Sequence, residues 1–181
     1  MSPALPPTAG QTVGPFFGYA LPYDRDSELV PAGHPRAVRL YGRVTDGAGE
    51  PVPDAMLELW QLDEAGSVVQ QEGSLRRDGW TFTGWGRAET DATGHYTFST
   101  LLPGGPDPFF AVLVFARGLT NRLFTRAYLP GARNTLLAGL DPQRRDTLIA
   151  VPDAQGLVFD VWLQGPNETV FLSFPQHRGA N

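Results

Sequence analysis

In "AVRLYGRVTD" Val38, Leu40 and Val44 alternate with Arg39, Tyr41 and Arg43, the two-residue period of a strand with one face buried. "GAGEPVPDA" then turns the chain, "MLELWQL" reads as a second strand, and "DEAG" closes a further turn. Val68 to Trp80 is polar and irregular, the pattern of a loop. "GWGRAETDATGHYTFSTLLPG" reads as a hairpin turning at Asp91 to Gly94, with Tyr96, Phe98 and Thr100 on one face of the return strand. "FFAVLVFA" is nearly continuous in apolar residues, which predicts a strand buried on both sides. "RLFTRAYLP", "DTLIAVP", "GLVFDVWLQG" and "ETVFLSF" supply the remaining strands. A helix is expected at one place, a short turn near "DPQRRDTL".

About eight strands at spacings of roughly ten residues predict an all-β fold, an antiparallel β-sandwich. Residues 1–36 carry many prolines and glycines and follow neither period. They read as an extended N-terminal arm, with 37–181 as the sandwich. No long repeat and no second domain boundary are evident.

Composition narrows the chemistry. The 181 residues are 41% hydrophobic, enough for a sizeable core, and the 21 glycines and 17 prolines fall mostly between short apolar runs. A net charge of −5 argues against nucleic acid or an anionic membrane as partner. There is no cysteine, which removes disulfides, thiolate metal sites and Cys nucleophiles, and no lysine, which removes Schiff-base chemistry. "MSPALPPTAGQTVG" has neither a basic n-region nor an apolar h-region, and no apolar run approaches 18 residues, so a cytoplasmic location is expected.

Few residues suggest catalysis by this chain alone. His34, His95 and His177 are far apart in sequence and read as surface histidines, without the spacing of a metal motif. No G-x-S-x-G elbow occurs, and Asp63, Glu64 and Asp91 fall in turns that side-chain-to-backbone bonds explain.

"LYGRVTDGAGEPVPDAMLELWQLDEAGSV" resembles the signature segment of the intradiol ring-cleavage dioxygenases. "QTVGPFF" precedes it, and "RAETDATGHYTFSTLLPG", "FARGLTNRLFTRAYL", "PQRRDTLIA" and "ETVFLSF" follow in the family's order, so the resemblance covers nearly the whole chain. It implies a β-sandwich and a reaction with O₂ that opens a catechol ring between its two hydroxyl-bearing carbons. Within the family the chain looks like the alpha kind, which pairs with a homologous beta chain. That beta chain holds non-haem Fe(III) through two tyrosines and two histidines, hard phenolate donors completed by imidazoles. Carried onto this sequence, the tyrosines fall at Val68 and near Pro106, and the histidines at Phe109 and Ala111. None of the four can ligate iron.

The resemblance further implies that the iron belongs to the partner and that alpha residues line the shared pocket. The matching positions are Thr12, Gly14 and Pro15, with Phe16 beside them, and Arg117. A Gly-Pro pair lets backbone approach a flat ring closely; an ordinary turn is the alternative. Arg117 leaves an otherwise apolar strand, so its charge must find water, a substrate carboxylate or a structural ion pair. The implied substrate is protocatechuate, the product 3-carboxy-cis,cis-muconate, and the assembly a higher alpha–beta oligomer with the arm packed on the partner. Two rivals are a non-enzymatic β-sandwich binding module and an autonomous enzyme drawing ligands from Tyr41, Tyr96, Tyr128 and the histidines.

Overall fold

The computed structural model describes Gly14, residues 20–71 and residues 77–174. In it β1 (Val38–Thr45) turns Leu40 and Val44 inward, both fully buried, as the alternation predicts. It forms the middle of one sheet, ordered β4-β1-β8-β7, with β9 also paired to β1. β4 (His95–Thr100) lies antiparallel to β1, whereas β8 (Leu157–Val158) and β9 (Val161–Trp162) run parallel to it. β7 (Val151–Pro152) pairs with β8 in antiparallel sense. Parallel neighbours on β1 depart from the purely antiparallel expectation.

The expected single strand in "GLVFDVWLQG" is split in two by a close approach to β1. A Cβ on Gly42 would stand 2.1 Å from the Phe159 carbonyl oxygen, and the Phe159 N–H donates to the Tyr41 carbonyl at 2.7 Å. The Asp160 carboxylate meanwhile accepts from the Arg43 N–H at 2.9 Å, so a side chain replaces a ladder bond there.

The second sheet is antiparallel throughout, in the order β3-β2-β5-β6, from β2 (Met56–Trp60), β3 (Trp85–Glu89), β5 (Phe109–Phe115) and β6 (Leu123–Tyr128). Leu57, Leu59, Phe110, Val112 and Val114 close on Leu40, Val44, Tyr96 and Phe98 of the first sheet to make one core. Each such side chain contributes about 1.5–3 kcal/mol relative to exposure.

The expected hairpin at Asp91–Gly94 does not form. Its turn does: the Gly94 N–H donates to the Asp91 carbonyl at 2.9 Å, with Gly94 at φ 73°. The flanking strands, however, belong to different sheets, because Ala88 of β3 and Tyr96 and Phe98 of β4 face each other across the core. The Thr90 hydroxyl donates to the Val52 carbonyl at 2.7 Å and accepts from the Ala55 N–H at 2.9 Å, tying the end of β3 to the turn before β2.

β5 is buried on one side and half-buried on the other. Phe110, Val112 and Val114 enter the core, while Phe109, Ala111, Leu113 and Phe115 form an apolar outer face. The last expected strand is reduced to an isolated bridge, Phe124 to Leu172, because Thr169 first pairs with Trp162.

The helix expected near "DPQRRDTL" is α2 (Pro142–Asp146), capped by the Asp141 carboxylate. A second short helix, α1 (Thr135–Ala138), is capped by the Asn134 side chain. Its Asn before and Gly after are ordinary cap signals that the strand pattern obscured.

The later part of the expected arm belongs to the sandwich. Leu29 and Val30 are buried, and the Leu29 N–H donates to the Ser99 carbonyl at 2.8 Å. Arg77 secures the same stretch, donating at 3.0 Å to both the Tyr23 hydroxyl and the Asp26 carbonyl and at 2.9 Å to the Trp85 carbonyl.

Candidate functional site

The four positions equated with metal ligands gather at one end of the second sheet, where β2 ends and β3 and β5 begin. The "DEAG" turn builds this end. The Asp63 carboxylate accepts from the Ala65 and Ser67 N–H groups at 3.0 and 2.7 Å, fixing the turn that leads to Val68. The Gly104 N–H donates to the Asp63 carbonyl at 2.9 Å, which brings the segment ahead of Pro106 onto the same turn. Only glycines allow this approach. A Cβ on Gly104 would stand 2.1 Å from the Glu64 carbonyl oxygen, and one on Gly66 would stand 2.8 Å from the Gly105 Cα. Val68 emerges 73% exposed.

Phe109 and Ala111, two residues apart on β5, share its outer face. Phe109 packs against Tyr128 with ring centroids 5.5 Å apart, and the Arg126 guanidinium lies 4.1 Å from its ring centroid. Arg126 also donates to the Tyr128 hydroxyl at 3.0 Å. Ala111 is flanked in register by Trp60 on β2 and Arg126 on β6, and Trp60 in turn meets Trp85 at 5.8 Å. Where the resemblance places two imidazoles, the sheet therefore presents an aromatic surface and a guanidinium.

These residues do not fit ferric iron. Valine, proline, phenylalanine and alanine side chains offer no donor, and the Arg126 charge disfavours a cation. Among the described residues no group of three His, Cys, Asp or Glu side chains could hold a metal ion.

Of the tyrosines proposed for an autonomous site, Tyr128 is at this end but fully buried against Phe109, its hydroxyl accepting from Arg126, and the other two are engaged elsewhere. Tyr96 is buried in the core, donates to the Phe159 carbonyl at 2.5 Å, and burial drives its phenol well above the usual range, so it stays protonated. Tyr41, on the first sheet, donates to Asp153 in the β7–β8 turn of that same sheet, and that hydrogen bond raises its pKa. His95 sits beside Tyr41, ring centroids 5.9 Å apart, with its Nε2 3.4 Å from Arg39. His34 accepts from the Arg36 N–H at 3.2 Å, and His177 lies outside the described residues. Among the described residues these groups do not converge on one point.

Arg117 is at the other end of β5. Eight residues separate it from Phe109, roughly 27 Å of strand at about 3.4 Å per residue. It pairs through Nε with Asp54, which lies just before β2, and both line an open groove of about 620 Å³ with Asp46, Pro51 and Gln164. Gly14 is half-buried at φ 75°, with nothing within 4 Å of where a Cβ would lie. Thr12, Pro15 and Phe16 lie outside the described residues. The structure thus does not bring Arg117 together with the four ligand-equivalent positions. Asp54 was missed in the sequence because "PVPDA" reads fully as a turn.

Comparison with known proteins decides the family. The model described as Dioxygenase matches residues 12–112. The chain belongs to the intradiol dioxygenase family. The protocatechuate 3,4-dioxygenase alpha chain of Burkholderia cepacia is 38% identical over 194 residues, which cover 93% of this chain and 98% of that one. The beta chain from the same organism is 32% identical over 177 residues, covering 82% of this chain and 74% of that one. Among solved structures, the dioxygenase domain of a dioxygenase and carbohydrate-binding protein fusion from Streptomyces sp. SirexAA-E aligns with a TM-score of 0.57 at 26% identity. That alignment covers 88% of this chain and 99% of that one. This intradiol dioxygenase chain therefore keeps the family's fold, while Val68, Pro106, Phe109 and Ala111 carry no donor side chains.

Proposed function

We propose that this chain is the iron-free subunit of a protocatechuate-cleaving intradiol dioxygenase, completing a pocket whose Fe(III) is held by a homologous beta-type partner. One observation carries the reading. The chain matches an alpha chain over 98% of that chain's length, while Val68, Pro106, Phe109 and Ala111 leave the candidate metal end without donors. The product is 3-carboxy-cis,cis-muconate.

The chain's own part is to bind, orient and exclude water. Arg117 grips the substrate carboxylate with a charge-assisted hydrogen bond, worth about 1.5–3 kcal/mol. Thr12, Gly14 and Pro15 line the pocket, where a glycine backbone clear of neighbours suits close approach to a flat ring. With Arg117 a strand's length from its own candidate metal end, the substrate it holds sits in a pocket that another chain must complete. The half-buried apolar face of β5, with exposed Trp60 beside it, suits burial against that partner in a larger alpha–beta assembly. The partner-facing part of the arm is assigned to the residues ahead of Leu21. No helix among the described residues is long and apolar enough to cross a membrane, and a cytoplasmic site of action fits the reading.

The test is expression of the chain alone and with a beta-type partner. No ferric-tyrosinate colour and no turnover of protocatechuate are expected from the single chain, and both from the complex. Iron-dependent turnover by the purified single chain would sink the proposal. A partner that turns over protocatechuate equally well with and without this chain would favour the binding-module reading.

A further inference from the structure

Asp54 and Arg117 differ sharply in how firmly they are held. Asp54 sits in a turn locked by buried Thr90, whose hydroxyl bonds both the Val52 carbonyl and the Ala55 N–H at 2.7 and 2.9 Å. Its side chain is 22% exposed, whereas that of Arg117 is 57% exposed beyond buried Ala116. Asp54 is therefore a fixed post, and Arg117 a long, exposed side chain whose Nε contacts it.

A solvent-exposed ion pair contributes little to folding stability, so stability does not account for this contact. Its geometry suits another purpose. Arginine grips a carboxylate best with two parallel N–H donors, and a guanidinium free to swing must be ordered before it does so. The Asp54 carboxylate at Nε holds the guanidinium beside the groove that both residues line.

We propose that Asp54 is a positioning residue that holds the Arg117 guanidinium for the carboxylate of the ring substrate, and so sets the preference for carboxylated over unsubstituted catechols. The proposal rests on the reading of Arg117 as a substrate contact. Asp54 acts through Arg117 and does not itself touch the substrate.

The test uses the assembled enzyme with Asp54→Ala, Asp54→Asn and Arg117→Ala, assayed on protocatechuate and on catechol, which lacks the carboxylate. For Asp54→Ala, kcat/KM on protocatechuate relative to catechol falls about tenfold, mainly through KM, while the melting temperature holds. Asp54→Asn keeps an oxygen beside the guanidinium and loses less. An unchanged ratio in Asp54→Ala, or a ratio shifted toward protocatechuate as expected of a competitor for Arg117, overturns the proposal. If Arg117→Ala lowers the ratio and Asp54→Ala does not, the positioning role alone fails. If Arg117→Ala leaves protocatechuate kinetics unchanged, the reading of Arg117 fails, and this proposal with it.

Discussion

At the Phe109 end of β5 the backbone is tightly specified and the four ligand-equivalent side chains carry no donors, whereas at the Arg117 end the backbone is open and a guanidinium paired with Asp54 lines a groove. Gly66, Gly104 and Asp63 clamp the first end so closely that a single methyl would collide with backbone. Gly118 at the second end, by contrast, has nothing within 4 Å of where a Cβ would sit. A scaffold can outlast the reaction it supported when it also holds the fold together. An exposed guanidinium needs little scaffold when one carboxylate holds it.

The largest effect that could break this contrast is on stability. Gly104→Ala places a methyl against the Glu64 carbonyl with no flexible side chain to yield, and should cost roughly 2–3 kcal/mol in urea melts. Gly118→Ala meets only the left-handed backbone penalty at φ 83° and should cost about 1–2 kcal/mol. Equal midpoints for the two variants would remove the distinction. Next in size, Arg117→Ala in the assembled enzyme should lower kcat/KM for protocatechuate roughly ten- to hundredfold with iron content unchanged.

The smallest effects lie at the donor-free end. Asp78, in the loop leading to Trp85, accepts from the Thr81 hydroxyl and from the Thr81 and Trp80 N–H groups, which holds its carboxyl at about 2. Its folded value lies below the usual unfolded value of about 3.9. Its stabilisation is therefore present above about pH 4 and fades as pH falls toward 2. Asp78→Asn should flatten the acid limb of the melting curve slightly, and an unaltered limb would assign the acid sensitivity elsewhere. Val68→Tyr should leave the isolated chain colourless, because one phenolate without imidazole partners does not hold ferric iron; a visible charge-transfer band would show a latent site.

Much of this was legible from alternation and turns. Leu40, Val44, Tyr96 and Phe98 took their inward places because a two-residue period states a face directly. Partners of a strand are not stated so directly. The Asp91–Gly94 turn was readable, but whether it joins neighbours in one sheet or crosses to the other depends on Ala88 and Tyr96 meeting across the core. The apolar run from Phe109 to Ala116 hid its two faces, because an outer surface suited to another chain has the composition of a core. Leu29 and Val30 were missed for the opposite reason, a short apolar pair inside a Pro- and Gly-rich stretch with no period to mark it. At the site, the four donor-free positions could be read only through the family's motifs. The Asp54–Arg117 contact joins residues distant in sequence, and no local pattern announces it.

On the proposed function, iron in the working enzyme belongs wholly to the partner. Metal analysis of the purified complex, made once with the natural partner and once with a partner stripped of its tyrosine and histidine ligands, tests it most directly. One iron per alpha–beta pair is expected in the first and none in the second, with colour and turnover lost together. Iron retained in the second complex, or two per pair in the first, would place metal on this chain and contradict it.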